Sequence, residues 1–143
     1  MWRIGEMLIQ KKLISWDQLQ DALIEQEKSK EMIGTVLVRK RYISQTLLYK
    51  SLAEQHQIRF VDLKRTKVNP KAVELIPQEI CQKNQIIPIE VSENALTLGI
   101  SNMPHFWPES EIKELTGFQN IRTVLCLPED IEQAIQENYS AKK

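Results

Sequence analysis

The segment Arg3–Gln26 reads RIGEMLIQKKLISWDQLQDALIEQ, and the segment Met32–Gln55 reads MIGTVLVRKRYISQTLLYKSLAEQ. The two segments align without gaps at an offset of 29 residues, and ten of their 24 positions are identical. Five polar residues, Glu27–Glu31, separate the two copies. A direct repeat at this period indicates one supersecondary unit that is used twice.

Each copy has the pattern of two short helices joined by a turn. Ser15 is a favoured N-cap residue, and Gln18 stands three positions later, as a capping box requires. Ser44 repeats the cap in the second copy, but Leu47 takes the glutamine position and the box is lost. Four short helices are therefore predicted within residues 1–57, and they must pack together because none is stable alone. Apolar positions at helical spacing in the first copy are Ile4, Met7, Leu8, Leu19, Ala22 and Leu23.

The pattern changes after Gln57 to short apolar segments that alternate with helix signals. Asn69 and Pro70 are a typical helix cap and first helical residue. Pro88 interrupts a predicted strand, which indicates an edge position or a bulge. The sequence predicts an α+β fold, in which a helical subdomain (1–57) of tandem helix-turn-helix repeats packs on an α+β subdomain (58–143) with a small, mainly antiparallel sheet. The predicted strands are 58–63, 86–91, 95–101 and 121–127, and the predicted helices are 70–76, 77–83, 109–115 and 128–139.

Composition places the chain among soluble globular proteins. Hydrophobic residues make up 42% and charged residues 27%, and the formal net charge is zero. A neutral chain offers no field for nucleic acid. No apolar run approaches the roughly 20 residues of a membrane span, so no direct membrane insertion is expected. The N-terminus lacks a signal peptide pattern, which favours a cytoplasmic protein. Cys81 and Cys126 stand apart in apolar stretches and are predicted to be buried, reduced thiols.

The motifs of common enzyme classes are missing from the sequence. There is no phosphate-binding GxxxxGK[ST] loop and no GxSxG nucleophile elbow. His56 and His105 stand 49 residues apart without nearby cysteine or histidine partners, so no metal site is predicted. The chain is therefore expected not to be an enzyme and to hold no cofactor.

Several aromatic residues and one basic stretch are candidates for contacts with a partner or ligand. Trp16 begins a predicted helix and is expected at the surface. Phe106 and Trp107 form either a contact patch or a cap on the core of the sheet. The basic stretch 64–71 either meets phosphates or an acidic partner, or is a solvated loop.

The repeat resembles the tandem 24-residue motif of the MshEN domain, a cyclic-di-GMP-binding domain at the N-terminus of some type II secretion and type IV pilus ATPases. The family pattern is roughly RLGxxLhxxGhhxxxxLxxxLxxQ, with h aliphatic, repeated after a five-residue spacer. The resemblance continues through FVDL (60–63), NPKAVELIPQEICQKNQIIPI (69–89) and the TG at 116–117, and so covers essentially the whole chain.

This resemblance implies a bacterial regulatory or docking module without catalytic activity. Its ligand would be cyclic di-GMP, whose near two-fold symmetry suits two copies of one motif. Arginine and glutamine can hydrogen-bond a guanine, aliphatic side chains can cover the ring, and glycine lets backbone approach closely. The residues that match the pattern, and so form the candidate ligand site, are Arg3, Ile4, Gly5, Leu8, Leu13, Leu23, Gln26, Ile33, Gly34, Leu37 and Gln55.

The chain departs from the pattern at three positions. Met32 replaces the arginine of the second copy, and Lys12 and Arg41 replace the mid-motif glycines. If that glycine position is left-handed, each longer residue costs about 1 kcal/mol, although its charge suits a phosphate.

Three hypotheses therefore remain: a cyclic-di-GMP receptor, a ligand-free module that docks onto secretion or pilus assembly proteins of the inner-membrane platform, and an unrelated enzyme. The first two place the chain in the cytoplasm, peripheral to the inner membrane through its partners. The chain is either a free-standing relative or a domain of a longer ATPase.

Overall fold

A computed structural model describes residues 4–101 and 108–139 of the chain. The chain divides into two compact units, Met1–Gln57 and Ile58–Lys143. The predicted alternatives for Phe106 and Trp107 fall outside the described residues. No helix in the described ranges has the length and apolarity that a bilayer crossing requires.

The first unit contains the four predicted helices. They are α1 (Ile4–Gln10), α2 (Trp16–Ser29), α3 (Ile33–Arg39) and α4 (Gln45–Gln55). The two copies contribute equivalent residues to one shared core, in which Leu8, Ile14 and Leu19 of the first copy correspond to Leu37, Ile43 and Leu48 of the second. The buried cluster is Leu8, Ile14, Leu19, Ala22, Val36, Leu37, Ile43 and Leu48. The helices are thus held by packing across the copies.

The predicted helix caps are confirmed. Ser15 Oγ accepts a hydrogen bond from the Gln18 N–H (3.1 Å), and the Ser15 N–H donates to Gln18 Oε1 (2.9 Å). Ser44 Oγ accepts from the Leu47 N–H (3.1 Å), and leucine has no polar atom with which to complete a box. Each second helix therefore begins where the sequence predicts.

The second unit follows the predicted element order, but its first strand is much shorter than expected. Only Arg59–Phe60 is extended, because Asp62 caps a 3-10 helix at Leu63–Arg65 by accepting from the Lys64 N–H (3.0 Å). The elements are β1 (Arg59–Phe60), α5 (Pro70–Val73), α6 (Gln78–Asn84), β2 (Ile86–Val91), β3 (Ala95–Ile100), α7 (Glu109–Thr116), β4 (Asn120–Leu125) and α8 (Pro128–Tyr139).

The four-stranded sheet has the order β1-β4-β3-β2. Only β2 and β3 pair antiparallel, whereas β4 lies parallel to both β3 and β1. The α+β class is confirmed, but the prediction of a mainly antiparallel sheet was wrong, because two of the three strand pairings are parallel. The physical reason is α7, since a helix between β3 and β4 returns the chain to the same end and makes the strands parallel.

Strand β2 forms one edge of the sheet, and its register shifts between Pro88 and Glu90. The prediction of an edge or a bulge at Pro88 is thus confirmed on both counts. The Ile89 carbonyl at the shift accepts a hydrogen bond from the Asn69 N–H (2.8 Å). The segment before α5 therefore covers this part of the open edge.

The hydroxyl of Tyr139 connects the end of α8 to α5, to α6 and to the segment between them. The Tyr139 hydroxyl lies 2.6 Å from the Ile76 carbonyl and 3.1 Å from the Val73 carbonyl, and it also contacts Cys81 Sγ at 3.2 Å. Cys81 and Cys126 are fully buried, as predicted. Burial raises the pKa of the Cys81 thiol to about 11 and that of Cys126 to about 12.

Candidate functional site

Ten of the eleven predicted site residues lie in the helical unit as the structure describes it, and Arg3 lies outside the described residues. Leu8 and Leu37 are fully buried, so their side chains belong to the shared core. Leu23 is 40% exposed on α2. Gly5 is buried, and the half-buried members of the set are Ile4, Leu13, Gln26, Ile33, Gly34 and Gln55.

The two glycines make equivalent contacts inside their own copies. A Cβ atom on Gly5 would lie 2.8 Å from Leu19 Cδ1, and one on Gly34 would lie 3.0 Å from Leu48 Cδ2. Both distances are shorter than ordinary van der Waals contacts. The missing side chains of both glycines make room for helix packing, and the ligand approach that the motif predicts for them stays a prediction.

The first copy turns between its helices through a Schellman motif. The Lys12 N–H donates to the Ile9 carbonyl, and the Leu13 N–H donates to the Leu8 carbonyl, both at 2.9 Å. Lys12 has a φ of 62°, in the left-handed region. The mid-motif glycine position is therefore left-handed in the first copy, so the condition for a backbone cost at Lys12 is met.

The second copy repeats the turn residue for residue. The Arg41 N–H donates to the Val38 carbonyl (2.9 Å), and the Tyr42 N–H donates to the Leu37 carbonyl (3.0 Å). Arg41 has a φ of 64°, which matches Lys12. The duplication seen in sequence is therefore also a duplication of backbone conformation.

Ion pairs connect each turn to the second helix of the other copy. Lys11 pairs with Glu54 on α4, and its equivalent Lys40 pairs with Asp21 on α2 at 2.8 Å. The Tyr42 hydroxyl donates a further hydrogen bond to the same Asp21 oxygen at 2.5 Å. The hydrogen bonds from Lys40 and Tyr42 hold the pKa of the Asp21 carboxyl below its usual value. The two lysines are equivalent in the repeat, but their partners are not, because Glu54 aligns with Glu25 and Asp21 aligns with Lys50.

An open cleft of about 450 Å³ lies at the second turn. It brings predicted Leu13 of the first copy together with residues that the motif comparison missed. Tyr42 is one of these residues. It occupies the same position in the second copy as Leu13 does in the first, and this alignment could have identified it from the sequence. The cleft is lined by Leu13, Val38, Arg41, Tyr42, Ile43, Ser44 and Leu47. Mostly apolar walls beside a cation suit a flat heterocyclic ring that carries an anionic group.

A second groove of about 550 Å³ lies in the α+β unit, between the segment before α5 and α8. Lys64 Nζ and the buried Asp130 carboxylate lie 3.7 Å apart in it, and Arg65 lies 3.8 Å from Asp62. The basic stretch is thus partly paired inside its own unit. Within the described ranges, no three His, Cys, Asp or Glu side chains cluster as metal ligands would. Trp16 is 60% exposed, as predicted.

This chain is similar in sequence to one protein family and to two pilus assembly ATPases. The sequence profile of the MshEN domain family matches residues 56–143. The type IV pilus assembly ATPase PilB of Myxococcus xanthus is 32% identical over 140 residues, which is 98% of this chain and 25% of PilB. PilB of Thermus thermophilus is 30% identical over 141 residues, 98% of this chain and 15% of that protein. The chain therefore spans a quarter or less of these relatives.

Solved structures show the same fold. The structure of MshE with cdg, cyclic di-GMP, has a TM-score of 0.85 at 22% identity and covers 97% of this chain and 100% of that one. The N-terminal domain of XpsE has a TM-score of 0.68 at 17% identity, over 94% and 92% of the two chains. The tandem repeat lies before the segment that the family profile matches, but both PilB alignments extend across it. The chain belongs to the MshEN domain family and is homologous to the N-terminal region of PilB-type pilus assembly ATPases.

Proposed function

We propose that this domain is a non-catalytic regulatory module that binds cyclic di-GMP through its tandem repeat. The observation that carries the proposal is the structural equivalence of the two copies. They share the glycine–leucine contact and the left-handed turn, and a lysine at each turn pairs with an acidic residue on the second helix of the other copy. In a longer ATPase, ligand binding by this domain would regulate type IV pilus assembly or type II secretion on the cytoplasmic side of the inner membrane.

The chemistry of the repeat supports a ligand with two similar halves. Gln26 and Gln55 are equivalent and half-buried, and a glutamine amide has both a donor and an acceptor that suit a base edge. Leu13 and Tyr42 are also equivalent and meet at the cleft, where they can cover a guanine ring. Arg3 would hydrogen-bond or stack on a guanine. The complex of MshE with cdg supports the choice of nucleotide for a domain of this fold.

Isothermal titration of the purified chain with cyclic di-GMP at physiological salt tests the proposal. We expect binding in the low micromolar range, weakened about tenfold or more by Arg3→Ala. Arg122→Ala on β4, an exposed arginine of the other unit, is the matched control and should bind as the unmodified chain does. Absence of heat at high ligand concentration, with a folded domain, would contradict the proposal.

A second candidate function is docking to a protein partner without any nucleotide. It is favoured by α2, where Trp16, Leu23 and Ile24 are exposed at positions i, i+7 and i+8 of one helix side. The partners would be secretion or pilus assembly proteins of the inner-membrane platform. In a pull-down with such proteins, Ile24→Asp should abolish capture, whereas Leu115→Asp, at an exposed leucine of α7, should not. Equal capture by both variants would rule out α2 as the docking face.

A further inference from the structure

The two turns of the repeat carry a concentration of basic side chains, most of which are already paired. Lys11 is paired with Glu54, and Lys40 is paired with Asp21. Arg39 contacts both Glu25 (3.1 Å) and Glu31 (2.6 Å). The charges of these three cations are therefore compensated within the helical unit.

Lys12 and Arg41 differ from these neighbours. Both are exposed, and neither makes a side-chain hydrogen bond or ion pair with any residue in the described part of the chain. They occupy equivalent positions, 29 residues apart, and Arg41 lines the cleft beside Leu13 and Tyr42. Among the residues that the structure describes, each of the two turns therefore presents one cation without an acidic partner.

Backbone strain accompanies both cations. Their φ values of 62° and 64° lie in the region that glycine adopts without cost and that other residues adopt only with backbone strain. Strain alone does not distinguish them, because Lys30 has a φ of 63° at the end of α2. Strain, duplication and an unpaired charge coincide only at Lys12 and Arg41 among the left-handed residues that the structure describes.

We propose that Lys12 and Arg41 contact the two phosphates of a cyclic dinucleotide, one cation from each copy. This inference rests on the proposed function and adds the recognition of the phosphates to it. A charge-assisted hydrogen bond to a phosphate is stronger than a neutral one, and the guanidinium of Arg41 can make it with two donors. A glycine at these positions would leave phosphate binding to backbone groups alone.

Titration of the full chain with cyclic di-GMP at 50 and 300 mM NaCl tests the assignment. Lys12→Gly and Arg41→Gly should each weaken binding about tenfold, and the double variant about a hundredfold. The double variant should also lose most of the salt dependence, because its ligand contacts are no longer between ions. Lys30→Gly removes the same charge at the same backbone conformation outside both copies, and should leave affinity unchanged.

Two further comparisons separate the possible causes. Thermal unfolding of the glycine variants should occur at or above the temperature of the unmodified chain, so that weaker binding cannot be ascribed to unfolding. Lys12→Gln with Arg41→Gln removes the charges without supplying glycine's freedom, and should weaken binding as much as the glycine pair does.

The outcomes also separate this inference from the function on which it rests. Binding by the glycine double variant within about twofold of the unmodified chain, at both salt concentrations, would overturn the phosphate contacts and leave the receptor function standing. Failure of the unmodified chain to bind cyclic di-GMP would overturn both.

Discussion

Leu19 Cδ1 lies 2.8 Å from the point where a Cβ atom on Gly5 would stand. The glycine therefore allows α1 to approach the start of α2 more closely than any other residue would. The same relationship holds between Gly34 and Leu48 in the second copy, at 3.0 Å. A motif glycine that resembles a ligand contact in sequence thus has a packing reason of its own.

Gly5→Ala should destabilise the domain by about 1–2 kcal/mol. Overpacking a core costs about 1–3 kcal/mol, and the better helix propensity of alanine returns up to about 1 kcal/mol. In a Leu19→Ala background the clash is absent, so Gly5→Ala should be neutral or stabilising there. Urea unfolding of the four proteins measures this coupling, and equal effects in both backgrounds would contradict the packing role.

Lys12→Gly should raise the free energy of unfolding by up to about 1 kcal/mol, since glycine relieves the left-handed conformation at φ 62°. Glycine's greater freedom in the unfolded chain offsets part of this gain. Lys28→Gly inside α2 should instead lower stability by about 1 kcal/mol, because glycine is a poor helix former. A loss of stability in Lys12→Gly would show that the side chain packs favourably.

The Asp21 carboxyl should contribute stability that is lost in acid. Its folded pKa lies below the usual 3.8, because Lys40 and Tyr42 bond the charged form. The contribution is therefore complete above the unfolded pKa and disappears as the pH falls through the folded pKa. Tyr42→Phe should reduce the loss of stability below about pH 4, and should have no further effect on it in an Asp21→Asn background. Urea unfolding between pH 2 and 7 measures both.

Tyr139→Phe should destabilise the domain by about 1–3 kcal/mol, because the Val73 and Ile76 carbonyls lose a buried donor while the ring remains. Within the described residues the Asn138 amide bonds the Ala134 carbonyl on its own helix, so Asn138→Ala should cost less. Chemical denaturation of both variants provides the comparison. An equal cost would mean that the tyrosine hydroxyl does not anchor α8.

Both cysteines should resist modification in the folded domain. Burial raises the pKa of Cys81 from 9.0 to about 11, which lowers the thiolate fraction at pH 8 by roughly a hundredfold, and the pKa of Cys126 is higher still. A chromogenic disulfide reagent should label two thiols rapidly in denaturant and very slowly without it. Rapid labelling of the native protein would place at least one thiol near the surface.

Local signals in the sequence were sufficient for the helices and their caps. Ser15 with Gln18 is a contact over three residues, and the repeat then placed the second cap at Ser44. The parallel pairing of β4 was not predicted, because packing between residues far apart in sequence determines which strands are neighbours. The hydrophobic pattern along the chain carries no information about that packing. The first strand was predicted too long because four of the six residues in Ile58–Leu63 are apolar. The segment also contains Asp62, which caps the 3-10 helix that follows the observed strand.

The ligand-site residues were read from a motif, and a motif does not distinguish core positions from surface positions. Leu8 and Leu37, which it includes, are fully buried, and Tyr42, which it does not include, lines the cleft. The ligand contacts themselves stay a prediction. The bond from Tyr42 to Asp21 joins residues of different copies, and only their packing brings these together.

The interrupted edge of the sheet has a consequence for how copies of this domain meet. Pro88 lacks an N–H, the register shifts beside it, and the Ile89 carbonyl is already bonded to Asn69. A strand from a neighbouring molecule therefore finds no continuous row of free donors and acceptors along β2. Edge-to-edge pairing of two molecules through β2 is therefore disfavoured.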